Sequence, residues 1–184
     1  MESNVKKADR FLVEAFQTNA SYSFSDPQIM ILHSRLVRDF AFQIAKGIDC
    51  DSELLEIMAL WHDIGKTYNA KPDVLRKKHN ELGYEVTRNI LFEIKISKNR
   101  KQNLIQFLKA RSHSIESTIV KDADILAFFA DLHLQKALKT WADANNIENE
   151  LQRKADKFYD LQLPESKRLA EKLYQKMKSR WGLK

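Results

Sequence analysis

The sequence predicts an all-α protein that folds as a single-domain helical bundle. Apolar residues recur at three- and four-residue intervals along most of the chain, which is the spacing of amphipathic helices. The 184 residues include only 4 glycines and 3 prolines, a composition that is unfavourable for a turn-rich β protein. This length suits one domain, which we expect to span residues 1–184.

Helices can be placed in order along the first third of the chain. A first amphipathic helix is predicted around residues 5–16, ahead of the core. The second begins at Asp26–Pro27, where a capping residue precedes a proline in the first turn, and it ends near Gly47. The third is capped near Asp51 and ends near Gly65.

The rest of the chain is predicted to continue as helices joined by loops. Residues 66–78 are expected to form a loop, and residues 92–97 have an alternative reading as a short isolated strand. The apolar period runs without interruption through residues 117–144 and predicts one long helix there. The other helices are predicted at residues 79–94, 103–113, 147–161 and 164–180.

Composition and charge limit the cellular compartment and the kinds of binding partner that we expect for this protein. Cys50 is the single cysteine, which excludes an internal disulfide and a cysteine-based zinc site. The N-terminal residues lack the apolar block of a signal peptide, and no apolar run reaches the ~20 residues that span a bilayer. We therefore expect a cytoplasmic protein with no membrane partner. The net charge of +6 favours anions, but acidic residues are scattered among the basic ones, so nucleic acid is not an expected partner.

Polar side chains occur where the apolar pattern predicts a core. His33 lies inside the run IMILHSRLV, His62 and Asp63 directly follow an apolar run, and Asp124 lies among apolar residues. Burying such groups without compensation is costly. Imidazole and carboxylate donors together suit Mn, Fe, Co, Ni or Zn, so a metal ion is one form of compensation. Each of these residues taken alone could also be an ordinary core or helix-end residue.

The adjacent His62–Asp63 pair has a geometric consequence. Neighbouring side chains on a helix point about 100° apart, so the pair can converge on one ion only at a helix end or on a closely facing site. Gly65 follows at that point and allows the chain to turn. Because a carboxylate has two oxygens, Asp63 is the natural candidate to bridge two ions.

These residues, in this order, resemble the H…HD…D pattern of the HD-domain superfamily of metal-dependent phosphohydrolases. The run HDIGK at residues 62–66 is a common form of the motif, and the ADIL run at 123–126 resembles the stretch that holds the last ligand. The resemblance covers about residues 28–180. It implies an all-α bundle of the HD-domain type whose ligands line its centre.

The resemblance also implies roles for individual residues. The first ion would be held by His33, His62, Asp63 and Asp124. Members with additional histidines bind a second ion, and His79 and His113 fit that role here, with Asp63 as the bridge. The sequence around His113 departs from the commoner paired-histidine form. Lys66 would contact the phosphate or assist the leaving group, although a solvated helix-end lysine is the alternative.

The function that this resemblance implies is phosphohydrolysis. A metal-activated hydroxide would attack the phosphorus of a nucleotide or another small phosphorylated metabolite, with Asp63 and Lys66 as the catalytic residues. The cofactor would be one or two divalent transition ions. Two alternatives stay open: a di-iron oxygenase of the same superfamily, and a non-catalytic nucleotide-binding regulatory module. The sequence leaves monomer and homodimer equally open.

Several neighbouring residues are weaker candidates. We expect Asp122 to be solvated beside Lys121, and we therefore assign the ligand role to Asp124. On one continuous helix, Asp131 would face the site about 10 Å further along the axis, and His133 would lie on the opposite face. Basic residues close to the ligands in sequence could contact phosphate: Arg35, Arg38, Lys71, Arg76 and Arg111.

Overall fold

The computed structural model describes residues 2–19 and 26–184, and over these residues the chain forms nine α-helices and no β-strand. The predicted all-α fold class is confirmed. The α-helices are α1 (Asn4–Thr18), α2 (Pro27–Ile44), α3 (Ser52–Trp61), α4 (Pro72–Thr87), α5 (Lys98–Leu108), α6 (Ile115–Ala130), α7 (Leu132–Ala144), α8 (Glu150–Ala155) and α9 (Pro164–Trp181). Short 3-10 helices occupy Ile64–Thr67, Ile90–Phe92 and Asp156–Asp160.

Short polar side chains start the helices that lead into the core. Asp26 caps α2 by accepting a hydrogen bond from the backbone N–H of Gln28 at 2.9 Å. Asp51 caps α3 by accepting from the N–H of Leu54 at 3.0 Å. After α2, the chain turns through Gly47, whose φ of 81° favours a residue without a Cβ. The sequence therefore placed the boundaries of α2 and α3 within a few residues.

Several helix boundaries differ from the sequence prediction: besides the two described next, α4 ends at Thr87 instead of residue 94, and α5 spans Lys98–Leu108 instead of residues 103–113. The loop predicted at 66–78 is wrong in its second half, because α4 already begins at Pro72. A proline in the first turn starts a helix instead of breaking it, since its missing N–H has no partner there anyway. The single helix predicted at 117–144 is wrong as well, because Asp131 has extended backbone (φ −85°, ψ 91°) and separates α6 from α7.

The centre of the bundle is formed by α2, α3 and α6, and the last five residues of α3 are completely buried. Helix α1 packs on α3, and the indole Nε1 of Trp61 donates a hydrogen bond to the carbonyl oxygen of Ala8 at 3.0 Å. Helix α9 packs on α6. No helix in the described parts of the chain is both long and apolar enough to cross a bilayer.

Asp122 has a structural role that the sequence did not predict. Its side chain is buried, and its carboxylate accepts hydrogen bonds from the backbone N–H groups of Gln162 and Leu163 at 2.9–3.2 Å. The expectation that it is solvated beside Lys121 is wrong. Asp122 joins α6 to the segment just before α9, which leaves Asp124 as the carboxylate of this helix that can face the centre.

Candidate metal centre

The His62–Asp63 pair lies at the point where α3 ends. His62 still has helical backbone, whereas Asp63 has φ −107° and ψ 8° and leaves the helix. Gly65, two residues after Asp63, lies so close to α4 that a Cβ there would collide with the carbonyl oxygen of His79. This glycine therefore allows α4 to approach the end of α3, and it brings His79 to Asp63.

Backbone carbonyls set the orientation of two histidine rings. The Nδ1 atom of His62 lies 2.8 Å from the carbonyl oxygen of Ala59, and Nδ1 of His79 lies 2.9 Å from that of Leu75. A carbonyl oxygen only accepts, so Nδ1 carries the hydrogen in both rings. In the neutral rings, the lone pair is then on Nε2, the atom that faces the carboxylates.

His33 and Asp124 complete a three-residue group with His62. His33 Nε2 lies 3.0 Å from Asp124 Oδ1, and His62 Nε2 lies 3.6 Å from the same oxygen. The candidate donor atoms of the three residues all lie within 4.8 Å of one another. His33 Nδ1 and His62 Nε2 are buried, and neither has a hydrogen-bond partner within the part of the chain that the structure describes. These donors form a candidate metal-ligand group.

Asp63 lies between two histidines and a lysine. Its Oδ2 atom lies 3.3 Å from His62 Nε2, and its Oδ1 atom lies 3.4 Å from His79 Nε2. The Lys66 ammonium contacts Oδ2. The two carboxylate oxygens thus face different histidines, as a bridging carboxylate would. We refer to His33, His62, Asp63, His79 and Asp124 as the His–Asp cluster.

Electrostatics hold the carboxylates of this cluster in the charged form. Burial alone would raise the pKa of Asp63, but Lys66, His62 and His79 outweigh it and hold that pKa well below its usual range. Burial is likewise outweighed at Asp124, where His33 and His62 lower the pKa well below its usual range.

The pKa values of His62 and His79 are shifted in opposite directions. Burial would lower the pKa of His62, but Asp63 and Asp124 raise it to about 10. Burial lowers the pKa of His79, which favours its neutral ring. A cation is therefore favourable at the position of His62 Nε2, between the two carboxylates, and a divalent ion can take the place of the proton there.

A cavity of about 360 Å³ opens beside the His–Asp cluster. The side chain of Asp124 is 42% exposed although it lies in the middle of the bundle, because it lines this cavity. All five members of the cluster and Lys66 contribute to the lining. A small molecule in the cavity would therefore be next to the candidate metal ligands.

The structure does not bring His113 to this site. Exposure alternates along the segment before α6, where Arg111 and His113 are exposed and Ser112 between them is buried and lines the cavity. His113 is not among the lining residues. The sequence expectation that it supplies a ligand of the second ion is corrected here, because its neighbour Ser112 occupies the inward-facing position.

The basic residues singled out from the sequence also lie elsewhere. Arg35 forms a two-point ion pair with Asp9, with nitrogen–oxygen distances of 2.8 and 2.9 Å, and Arg38 pairs with Asp39. Lys71 and Arg111 are exposed, the side chain of Arg76 lies outside the described residues, and none of the four described side chains lines the cavity.

Three other cations line the cavity and were missed from the sequence: Lys121, Arg153 and Lys154. A signal for Lys154 did exist. It lies three residues after the buried Leu151, so it shares the face of α8 that Leu151 occupies. A lysine on an apolar helix face is unusual and indicates a neighbouring anion or anionic ligand.

Asp131 faces the site, as the sequence predicted, although α6 ends there. Its Oδ2 atom lies 4.0 Å from His33 Nδ1, and its other oxygen caps α7 by accepting from the N–H of Leu134. It stands behind His33, on the side of the ring away from Asp124. Because α6 is helical as far as Ala130, the predicted separation of about 10 Å between Asp124 and Asp131 along its axis stays compatible with this arrangement.

Comparison with known proteins identifies one family. A family model described as "HD domain" matches residues 30–128, which is more than half of the chain and includes the whole His–Asp cluster. The match ends at Phe128, before α7, α8 and α9. Comparison with curated proteins and with solved structures gives no significant match.

Proposed function

The chain belongs to the HD-domain family, and we propose that it is a metal-dependent phosphohydrolase acting on a nucleotide or another small phosphorylated metabolite. The observation that supports this most is the convergence of His33, His62 and Asp124, whose donor atoms lie within 4.8 Å of one another. These donors lie beside a cavity large enough for a small molecule.

The residues present fit a divalent transition ion. Nitrogen and oxygen donors suit Mn, Fe, Co, Ni or Zn, and the buried, unpartnered Nε2 of His62 is an atom that an ion would satisfy. We propose that the first ion is held by His33, His62, Asp63 and Asp124. A second ion would be held by Asp63 and His79, and water or substrate would fill its other positions.

The chemistry follows from the charges of the site. A divalent ion held by the cluster supplies a Lewis acid that acidifies water and stabilises charge on phosphoryl oxygens. Asp63 holds its negative charge at neutral pH, because its pKa lies well below the usual range for the reasons given above. Lys66 is the nearest ammonium to Asp63, and we assign it contact with the oxygen of the departing group.

Substitution of Asp63 by alanine tests this function. The wild-type protein, supplied in turn with Mn²⁺, Fe²⁺, Co²⁺, Ni²⁺ and Zn²⁺, is expected to release phosphate from at least one member of a nucleotide panel. The Asp63→Ala variant should lose ~100-fold or more of this rate, because both proposed ions lose a ligand. Asp143→Ala, which removes an exposed carboxylate from α7, is the matched control and should keep the wild-type rate.

Two results would contradict the proposal. A wild-type protein that is inert with every ion would exclude hydrolysis of the panel, and an active Asp63→Ala variant would exclude the assigned site. Oxygen consumption with stoichiometric iron would favour the oxygenase alternative, and tight nucleotide binding without turnover would favour the regulatory module. The cytoplasmic location and the oligomeric state stay predictions.

A further inference from the structure

Part of the cavity wall comes from helices that the HD-domain match does not include. We refer to the residues that α7 and α8 contribute as the C-terminal wall: Leu134, Leu138, Trp141, Glu150, Arg153 and Lys154. The HD-domain match ends at Phe128, so this wall is a property of this chain beyond the matched segment.

Lys154 is the more buried of the two cations in the C-terminal wall. Its side chain is partly buried, and its Nζ lies 5.2 Å from the centre of the Phe128 ring. The charges that act on it include the attractive carboxylates of Asp124 and Asp63 and the repulsive ammonium of Lys66. Lys66, from the segment after α3, contacts Asp63, so both lysines act on that carboxylate.

The charge of the cavity favours an anion once a metal ion is bound. Its charged lining comprises four cations, Lys66, Lys121, Arg153 and Lys154, and three carboxylates, Asp63, Asp124 and Glu150. Each divalent ion adds two positive charges. Burial also lowers the pKa of Lys154, so an anionic group beside its ammonium would relieve an unfavourable environment.

The part of the C-terminal wall that α7 contributes is apolar. Leu134, Leu138 and Trp141 follow one another at four- and three-residue intervals, so they share one face of α7, and that face lines the cavity. Phe107 and Phe128 add aromatic surface from α5 and α6. The volume of about 360 Å³ is near the lower end of small-molecule sites, which favours a compact ligand over a polymer.

We propose that Lys154 binds the phosphoryl oxygens of the substrate and that Leu138 and Trp141 contact its organic group. The substrate is then a small phosphate ester whose organic part includes a flat ring. This inference rests on the proposed function, because it assigns the substrate contacts of the same site. An ammonium recognises phosphate as a point charge, and the indole ring offers a flat surface for an aromatic group.

A matched pair of lysine substitutions tests the phosphate contact. Lys154→Met keeps the apolar stem and removes the charge, and Lys157→Met removes the same charge from an exposed position three residues later. The dissociation constant of inorganic phosphate for the manganese-loaded protein is measured by titration calorimetry. Lys154→Met should weaken phosphate binding by roughly ten- to a hundredfold, as expected for a charge-assisted hydrogen bond. Lys157→Met should leave it unchanged.

Elemental analysis separates this effect from loss of metal. The manganese content of Lys154→Met should equal that of the wild-type protein, since Lys154 is not a proposed ligand. Equal phosphate affinities in Lys154→Met and wild type, or no phosphate binding by the manganese-loaded wild type, would overturn the inference. Hydrolysis by the wild type would then stand without it. Conversely, Lys154-dependent phosphate binding with no hydrolysis of any ester would contradict the proposed function alone.

Trp141→Leu tests the apolar contact. The substitution keeps an apolar side chain but removes the flat ring. Adenosine 5′-monophosphate should bind roughly five- to tenfold more weakly to this variant, in line with the value of base–aromatic stacking, while inorganic phosphate binds as before. If both probes lose affinity equally, or if neither does, the assignment of Trp141 to the organic group is wrong.

Discussion

The two sides of the cavity differ in how directly they follow from the sequence. The His–Asp cluster comes from α2, α3, α4 and α6, within the matched residues 30–128, and the C-terminal wall comes from α7 and α8. Ligands of the cluster occur in short, recognisable runs such as HDIGK. The C-terminal wall has no such run, because its residues are brought to the cavity by packing of whole helices.

Two aspartates of the same helix, α6, have unrelated roles. Asp122 and Asp124 are two residues apart on α6, where Asp122 is buried and Asp124 lines the cavity. Asp122 accepts backbone hydrogen bonds from the segment before α9, whereas Asp124 faces His33 and His62. One carboxylate stabilises the fold, and the other belongs to the candidate site.

The largest expected effects come from removing these two carboxylates one at a time. Asp124→Ala should weaken Mn²⁺ binding by ~100-fold or more, because it removes a proposed ligand of the first ion. Asp122→Ala should keep the metal affinity but lower the free energy of unfolding by about 2–3 kcal/mol, because it leaves buried backbone N–H groups without their charged acceptor. Metal titration and chemical denaturation in the presence of a chelator measure the two effects.

Each variant is the control for the other. If Asp122→Ala lost the metal while Asp124→Ala kept it, the assignment of the ligand would be reversed. If both variants bound Mn²⁺ as tightly as the wild type, α6 would contribute no ligand, and the candidate site would have to be abandoned.

The sequence predicted the fold class and all five residues of the His–Asp cluster, for a physical reason. The apolar period of each helix and the residue types of the ligands are local properties, so they can be read along the chain. The environment of Asp122 and the position of His113 depend on which neighbour faces inward, and that is decided by packing. The break at Asp131 was missed because an aspartate inside an apolar period gives no clear stop signal until its capping bond to Leu134 is seen.

A smaller effect is expected where the two sides of the cavity meet. Asp131 precedes α7, and its carboxylate lies 4.0 Å from Nδ1 of His33, slightly beyond hydrogen-bond distance. When Nε2 of His33 faces an ion, the ring hydrogen is on Nδ1, and a carboxylate there orients the ring. In Asp131→Asn the amide oxygen can still cap α7, but its NH₂ group would then face that hydrogen. Mn²⁺ affinity should fall by ~10-fold, with thermal stability nearly unchanged.

Asp26→Asn is the matched control for this variant. Asp26 caps α2 in the same way, but its partner is the N–H of Gln28 at an exposed helix start. This control should change neither metal affinity nor stability appreciably. A wild-type metal affinity in Asp131→Asn would show that His33 needs no acceptor from the C-terminal side, and the two sides of the cavity would be independent in metal binding.

The smallest expected effect concerns the residue on which sequence and structure disagree. His113→Ala should change metal stoichiometry, phosphate release and stability by no more than an ordinary surface substitution does, within about 0.5 kcal/mol, because His113 is exposed and does not line the cavity. His79→Ala is the informative partner, since His79 lies 3.4 Å from Asp63 and should be needed for the second ion. Loss of an ion in His113→Ala, with His79→Ala unaffected, would mean that the segment before α6 turns inward when metal binds, and the assignment from the sequence would be restored.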